Sequence, residues 1–476
     1  MRSWDTAFGI KTLVHGLIGH EDHGWVNTVR QRTGRVERAE EVVVAMGALT
    51  EGIKKYVLVD NSSMLQASAK DRSPPPASPY LSGIMLTIRL RPREHQRIAE
   101  GHLWIFRNEI STLPEAPAGT LVVVERSDGK VIGTGFYNPH SKIAVRLLGG
   151  VHDAADANFF AERFRRALEM RQRLTGRAEA FRLVYGEADL LSGLIVDRFG
   201  DVAVVQMMAA GMDVRRNEIV EALRTVMPDL KGIVERNTMA TRKKEGLELR
   251  EGVLWGSVPD RVQFRENNVV IETDLLSGQK TGYFLDQRLN RLFVQQQAQN
   301  RSVLDCFCNV GGFALNAAVG GASRALGIDS SAAAVQQAKE NARLNGLENC
   351  TFEQANVFDF LRDQVAAEQK WDMVILDPPS FAKSRDALPG ARAGYAEINR
   401  QAMKCLAPGG WLVTASCTQL VSEYDFMDII YAEAARLGRR LRLLHRGQQG
   451  PDHPVLLAMP ETMYLKFLVF DVVSDS

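Results

Sequence analysis

Between Ser302 and Asp329 the chain reads SVLDCFCNVGGFALNAAVGGASRALGID. An apolar run carrying Asp305 near its tip breaks into a Gly311-Gly312 turn; an Ala-rich helical stretch follows, and a second apolar run closes on Asp329. Strand, glycine loop, helix and strand in that order predict the start of a layered α/β sheet. Glycines let backbone approach a ligand closely, and the acid ending the second strand can accept both hydroxyls of a ribose. The loop lacks G-x-G-x-x-G spacing, which argues against NAD or FAD. An acid at the first strand tip, ahead of the glycines, suits the cationic methionine end of S-adenosylmethionine (SAM). The stretch therefore predicts a nucleoside-cofactor site, and a methyltransferase before other classes.

Strands and helices keep alternating after this point. CTFEQAN, WDMVILD and GGWLVTASC read as further strands, and LRLLHRG with YLKFLVF closes the pattern of a doubly wound, mostly parallel sheet. Asn356 falls at the third strand tip, where its amide could bond an adenine edge. The fourth strand ends in Asp377-Pro378-Pro379. Two prolines remove two backbone donors and force a rigid extended turn, which holds the preceding carboxylate in the ligand crevice. There it can accept a hydrogen bond from a planar amine or ring nitrogen of a base. Ahead of the first strand, GQKTGYFLDQRLNR (278–291) reads as an N-terminal lip on the cofactor pocket or as an amphipathic connector. The cofactor candidates are thus Asp305, Phe307, Gly311, Gly312, Asp329, Asn356 and Asp377, with Phe284 and Gln287 from the lip.

Cys417 follows the fifth strand, WLVTAS, and is predicted at the same sheet edge as Asp305 and Asp377. Cytosine carbon 5 is too weak a nucleophile to attack a methyl sulfonium. A thiolate adding to carbon 6 makes the ring enamine-like, and methyl transfer, loss of the carbon 5 proton and thiol elimination complete the cycle. A thiol of pKa about 8.5 is only a few per cent ionised at neutral pH, so its neighbours must favour the thiolate. Cys417 and Asp377 are the catalytic candidates; Cys306 and Cys308 are expected to pack beside the loop. Methylation of an exocyclic guanine amine, which needs no cysteine, is the nearest enzymatic rival. An RNA-binding factor with a vestigial SAM pocket is the rival outside enzymes.

Residues 1–84 look unlike the rest: scattered charges, two short apolar tracts and DRSPPPASP (71–79) predict a poorly ordered leader. Residues 85–150 show short strands separated by Asp128-Gly129 and Asn138-Pro139 turns, the pattern of a small β-barrel. Residues 151–270 mix strands and helices, an α+β block, and 271–476 hold the doubly wound pattern. Fifty-eight Lys plus Arg against 57 Asp plus Glu give +1, so an RNA surface must be local. Arg89, Arg91, Arg93, Arg97, Lys142 and Arg146 are the candidate phosphate contacts. The 5 cysteines show no paired C-x-x-C spacing, and His445 and His453 lack ligand spacing, so no metal site is expected. Cysteine usage fits a reducing cytoplasm, and no apolar run approaches the roughly 18 residues of a membrane span.

These stretches together resemble the ribosomal RNA large subunit methyltransferase I family, SAM-dependent enzymes that make 5-methylcytidine in 23S rRNA. The resemblance covers about residues 85–474 and rests on GHLWIFRNEI (101–110), EADLLSGLIVDRFGD (187–201), GQKTGYFLDQR, VLDCFCNVGGFALNAA, LDPPSFAKS, GYAEINRQAM (394–403), Ser416-Cys417 and DHPVL (452–456). It implies an N-terminal RNA-binding PUA domain, a central α+β domain and a Rossmann-like SAM methyltransferase domain. It further implies Cys417 as nucleophile with Asp377 positioning the base, large-subunit rRNA as partner, no membrane, and leaves a homodimer open. Ser380 follows the Asp-Pro-Pro, as is usual in this family. Two departures are the leader, which has no family counterpart, and Asn356, which stands where an Asp is common.

Overall fold

The computed structural model describes residues 85–473 apart from 153, 177, 277–281 and 383. The expectation of a poorly ordered leader over 1–84 lies outside the described residues, as does Lys280 of the lip.

The first sheet contains β1 (Thr87–Arg89), β2 (Trp104–Phe106), β3 (Leu121–Glu125), β4 (Val131–Tyr137) and β5 (Ile143–Leu147), in the order β1-β3-β4-β5-β2. A bridge between Leu90 and Ile110, flanked by Arg91 N–H to Glu109 C=O at 2.8 Å, joins the two ends and closes a barrel. Ile88, Leu90, Val122, Val124 and Val145 fill it. Closure leaves no unpaired edge to be covered.

The central sheet runs β10 (Arg250–Gly256), β9 (Gly232–Asn237), β8 (Val202–Met207), β7 (Leu194–Phe199), β6 (Ala180–Tyr185). The helix Ala157–Thr175 starts where Asp156 accepts from the Phe159 N–H at 2.9 Å. It lays Phe160 and Phe164 against Leu183, Val196 and Val205 of the sheet. The hairpin β11 (Val262–Glu266) and β12 (Val269–Thr273) shares its core with Val303 and Phe313 of the last domain. Asn345 also holds β12 by bonds to Val270 N and O at 2.8 and 2.7 Å. A division at residue 270 would pass through β12; we propose one between Gly256 and Val262.

The last domain is a seven-stranded sheet of β13 (Ser302–Cys306), β14 (Arg324–Asp329), β15 (Cys350–Gln354), β16 (Trp371–Leu376), β17 (Leu406–Ser416), β18 (Arg440–Gly447) and β19 (Lys466–Val473). Its order is β15-β14-β13-β16-β17-β19-β18, with β19 antiparallel to both neighbours. Strand residues alternate between two apolar layers: Val303, Met373, Ile375 and Val413 on one face, Leu304, Val374, Leu376 and Leu412 on the other. Such two-sided burial is why these strands read as nearly continuous apolar runs. The chain leaves β13 through β14 to β15, then returns to the far side of β13 as β16. A crevice must therefore open outside the carboxyl ends of β13 and β16. Among the described residues, no helix is long and apolar enough to cross a membrane.

Segment 448–465, between β18 and β19, ties the three parts together. Met459 is fully buried in the barrel core and its sulfur accepts from Leu103 N–H at 3.3 Å. The Thr462 carbonyl accepts from the Tyr185 hydroxyl of the central sheet at 3.0 Å. Asp452, fully buried, pairs with Arg288 at 3.0 Å and accepts from Arg182 N–H at 2.9 Å. Around it, Arg171 grips Asp189 at 2.6 and 2.7 Å, and Arg182 grips Asp197 at 2.7 and 2.8 Å. Two-pronged arginine–carboxylate pairs are the geometry in which a buried charge is best tolerated. DHPVL is thus a fastening.

Candidate active site

The loop after β13 turns sharply. Phe307 and Asn309 have φ of 66° and 50°, in the left-handed region that non-glycine residues rarely occupy, and Gly311 follows at 90°. A Cβ on Gly311 would meet Phe352 Cζ at 2.7 Å; one on Gly312 would meet the Tyr283 hydroxyl and Arg291 Cδ, both at 3.1 Å. Gly311 is therefore demanded by backbone angle and by packing, and a side chain at Gly312 would crowd the residues beneath the loop. Sequence alone suggested ligand approach as their reason. The Phe307 ring packs edge-on to Phe358, centroids 6.5 Å apart.

Asp305 is fully buried. Its Oδ2 accepts from Ala314 N–H in the first turn of the helix Gly312–Val319 at 2.9 Å, and its Oδ1 has no hydrogen-bond partner. Burial pushes its carboxyl well above the usual range; the Ala314 bond opposes this, and the negative charges of Asp377 and Asp329 add to it. Arg291, the cation acting on it, is held by buried Glu266 at 2.6 and 3.0 Å. Asp329 ends β14, and its two oxygens accept from Asn309 and Ser331 N–H, both at 2.9 Å, which fixes the carboxylate at the crevice. Gln287 is buried with Nε2 unpartnered, while its Oε1 accepts from Asn290 at 2.6 Å. An orphaned buried carboxylate oxygen among further acids needs a cation, and an orphaned amide needs an acceptor. The sulfonium and ammonium of SAM, with its carboxylate, fit that donor and acceptor set. The segment is packed in place: Tyr283 and Arg288 are buried, and Asp286 accepts from the Tyr464 hydroxyl.

Asn356 is exposed and caps the helix Val357–Ala366, its oxygen accepting from Phe358 N–H at 2.9 Å and Asp359 N–H at 3.4 Å. Only its NH2 group is left for an adenine edge. An Asn directly before a helical period is a readable capping signal that the strand-tip reading passed over.

Asp377 is half-buried and extends the β13–β16 ladder, its N–H reaching Cys306 C=O at 3.4 Å. Cys417 is half-buried beside it: its sulfur lies 4.0 Å from the Pro378 carbonyl. The other four cysteines are buried, and burial pushes all of their thiols up, Cys405 to about 11 and Cys350 to about 12. The turn around Cys417 is held on every side. Tyr395 hydroxyl bonds Thr418 Oγ1 at 2.7 Å and accepts from Ser416 at 2.9 Å. Thr418 Oγ1 also meets Ser380 at 3.2 Å and Phe381 N–H at 3.3 Å. Buried Lys466 donates to Thr418 C=O at 2.7 Å. Sequence reading missed Thr418, the next residue in the chain, and Tyr395 and Lys466, which reach the turn only through tertiary pairing.

The cation candidates divide. Arg89, Arg91, Arg93 and Lys142 are exposed on the barrel. Arg146 is spent internally: it pairs with Glu187 at 3.3 Å and Glu245 at 3.0 Å and lies over the Trp104 ring. Arg97 is clamped on Glu109 at 2.7 and 3.0 Å. Neither is free for a phosphate, because charge alone does not reveal burial. Among the described residues, no group of three His, Cys, Asp or Glu could hold a metal ion.

The comparisons agree with the fold and with SAM as the cofactor. The S-adenosylmethionine-dependent methyltransferase family matches residues 252–470, and the PUA-like domain family matches 88–149. A protein assigned as a SAM-dependent methyltransferase from Streptococcus mutans superposes with a TM-score of 0.70 at 21% identity, covering 82% of this chain and all of that one (100%). A second structure, of a protein assigned as a methyltransferase and complexed with SAH, gives a TM-score of 0.72 at 21% identity with the same coverage, 82% and 100%. The fold and the crevice thus define a SAM-dependent methyltransferase carrying a PUA-like domain. "Ribosomal RNA large subunit methyltransferase I" of Tolumonas auensis is 39% identical over 391 residues, 80% of this chain and 98% of its own. The protein of that name from Aeromonas hydrophila is 40% identical over 376 residues, 77% and 94%. The chain belongs to the ribosomal RNA large subunit methyltransferase I family.

Proposed function

We propose that this enzyme methylates carbon 5 of a cytosine in large-subunit ribosomal RNA through a covalent Cys417–cytosine adduct. The observation that carries this reading is the pairing of Cys417 with the Asp-Pro-Pro turn: one half-buried sulfur, 4.0 Å from the Pro378 carbonyl, at the mouth of the crevice. The names of the relatives support ribosomal RNA as the substrate.

In this reading Asp305, Gln287, the Phe307–Gly312 loop and Asp329 hold SAM, with Asn356 and Phe284 at its adenine and lip sides. When bound, SAM supplies an electrophilic methyl group. The target base leaves its stack, at a cost of a few kcal/mol unless already unpaired. Asp377 accepts a hydrogen bond from the cytosine amine and orients the ring. The Cys417 thiolate adds to carbon 6, which makes carbon 5 nucleophilic; after methylation and loss of the carbon 5 proton, the carbon–sulfur bond breaks and the thiolate returns. Exposed Arg89, Arg91, Arg93 and Lys142 contact phosphates. The reading extends to a cytoplasmic enzyme and to a homodimer, the latter tested by light scattering.

Cys417→Ser is expected to lose turnover by at least about 10³-fold while titrating SAM normally. Mass mapping of rRNA from cells with and without the gene should find one cytosine gaining a methyl. Full activity in Cys417→Ser, with the methyl on a guanine amine, would replace the adduct by direct transfer.

A further inference from the structure

We propose that Lys466 is a positioning residue for the Cys417 thiolate, holding the sulfur ionised and aimed into the crevice; this rests on Cys417 being the nucleophile. Lys466 opens β19 and stands opposite Ser416, the residue before the cysteine, in the β17–β19 register. Its ammonium donates to Thr418 C=O, the residue after the cysteine, at 2.7 Å, and to Tyr464 C=O at 2.9 Å. One side chain thus brackets Cys417 from both sides, and the turn cannot move without breaking a buried bond.

Charge points the same way. Lys466 is buried and, among the described residues, makes no ion pair. Two carbonyls accept two of its three N–H groups, but carbonyls carry no compensating charge, and an uncompensated buried cation is costly. The titratable groups facing this corner are Cys417, Glu423 at the start of the helix Glu423–Arg436, Tyr395 and Asp377. Glu423 already meets Arg446 at 3.4 Å. Burial pushes Lys466 down to about 8, and the charges of Cys417 and Glu423 pull it upward. Coulomb coupling is mutual, so the ammonium that a thiolate favours also favours that thiolate. The Cys417 S–H proton leaves to solvent, and the ammonium–thiolate pair is neutral. Addition to carbon 6 converts the thiolate to an uncharged thioether and strands the cation; breaking that bond restores the pair. Lys466 therefore assists departure of the sulfur as well as its attack, since a stabilised thiolate leaves faster.

The test uses the full chain with Lys466→Met, Lys466→Gln and Lys466→Arg. Alkylation of Cys417 by iodoacetamide is followed against pH by peptide mass mapping, beside SAM titration and methylation kinetics. Loss of the cation in Lys466→Met should raise the alkylation midpoint by about one pH unit or more and lower kcat at least about tenfold, with SAM affinity unchanged. Lys466→Gln, which keeps a donor without charge, should behave alike, and Lys466→Arg should restore the wild-type midpoint. Where Met does not fold, the Gln and Arg variants decide. A folded uncharged variant with wild-type midpoint and kcat overturns the proposal and leaves Lys466 a strut. An active Cys417→Ser overturns the nucleophile itself; an inactive Cys417→Ser beside an unaffected Lys466→Met overturns only the role of the lysine.

Discussion

Two acid-rich regions of this enzyme are built on opposite rules. At the seam around segment 448–465 three buried carboxylates each meet an arginine: Asp189 with Arg171, Asp197 with Arg182, Asp452 with Arg288. At the crevice, Asp305 and Asp329 make no ion pair among the described residues, and Asp305 keeps one oxygen without a partner. Both regions are rich in Asp and look alike as sequence. The difference teaches that compensation marks structure, whereas a carboxylate left short of a cation marks a place kept for a ligand.

The largest test removes one side of a compensated pair. Asp452→Ala leaves Arg288 buried without its acid and should cost about 3–5 kcal/mol in chemical denaturation. A neutral result would mean that the seam holds by packing alone. Asp305→Asn should act oppositely: SAM affinity by calorimetry falls by the loss of a charge-assisted contact, about 1.5–3 kcal/mol, while the SAM-free melting temperature rises. A lower melting temperature would show that Asp305 is structural after all.

Acidity separates the regions next. Burial pushes the Asp305 carboxyl up, so its ionised form is disfavoured in the fold; the cost is full above the raised value and vanishes below the unfolded value of about 3.9. Acidification from neutral pH should therefore stabilise SAM-free wild type relative to Asp305→Asn, by up to about 1.4 kcal/mol per pH unit within that window. At Asp452 burial pushes up, but the bonds from His453 and Arg182 and the charge of Arg288 outweigh it and hold the carboxyl below its usual range. Its contribution is present above about pH 4 and lost as pH falls through the depressed value. Scanning calorimetry from pH 7 to 3 on both proteins checks the two signs. The smallest effect belongs to the exposed barrel: Arg89→Ala breaks a 3.1 Å pair with Glu125 and should change stability by under about 1 kcal/mol. It should lower the salt slope of RNA binding by about one.

What the sequence made legible was local. Strand, glycine turn and helix are each a local run, as is the Asp-Pro-Pro at a strand end, so their order along the chain yields the parallel sheet and the edge where Asp305, Asp329, Asp377 and Cys417 gather. Relations across distance stayed hidden. Lys466 is 48 residues from Thr418 and meets it only because β19 inserts antiparallel beside β17. Arg146 read as a surface cation because nothing nearby in the chain announces Glu187 or Glu245. The capping role of Asn356 was readable and was outweighed by its place at a strand tip.

Segment 448–465 begins beside the central sheet, threads Met459 into the barrel and ends at Lys466. The barrel and the cysteine turn are therefore joined through one stretch of backbone. Losing the seat of Met459 in the barrel would therefore loosen the approach to the very strand that flanks the sulfur.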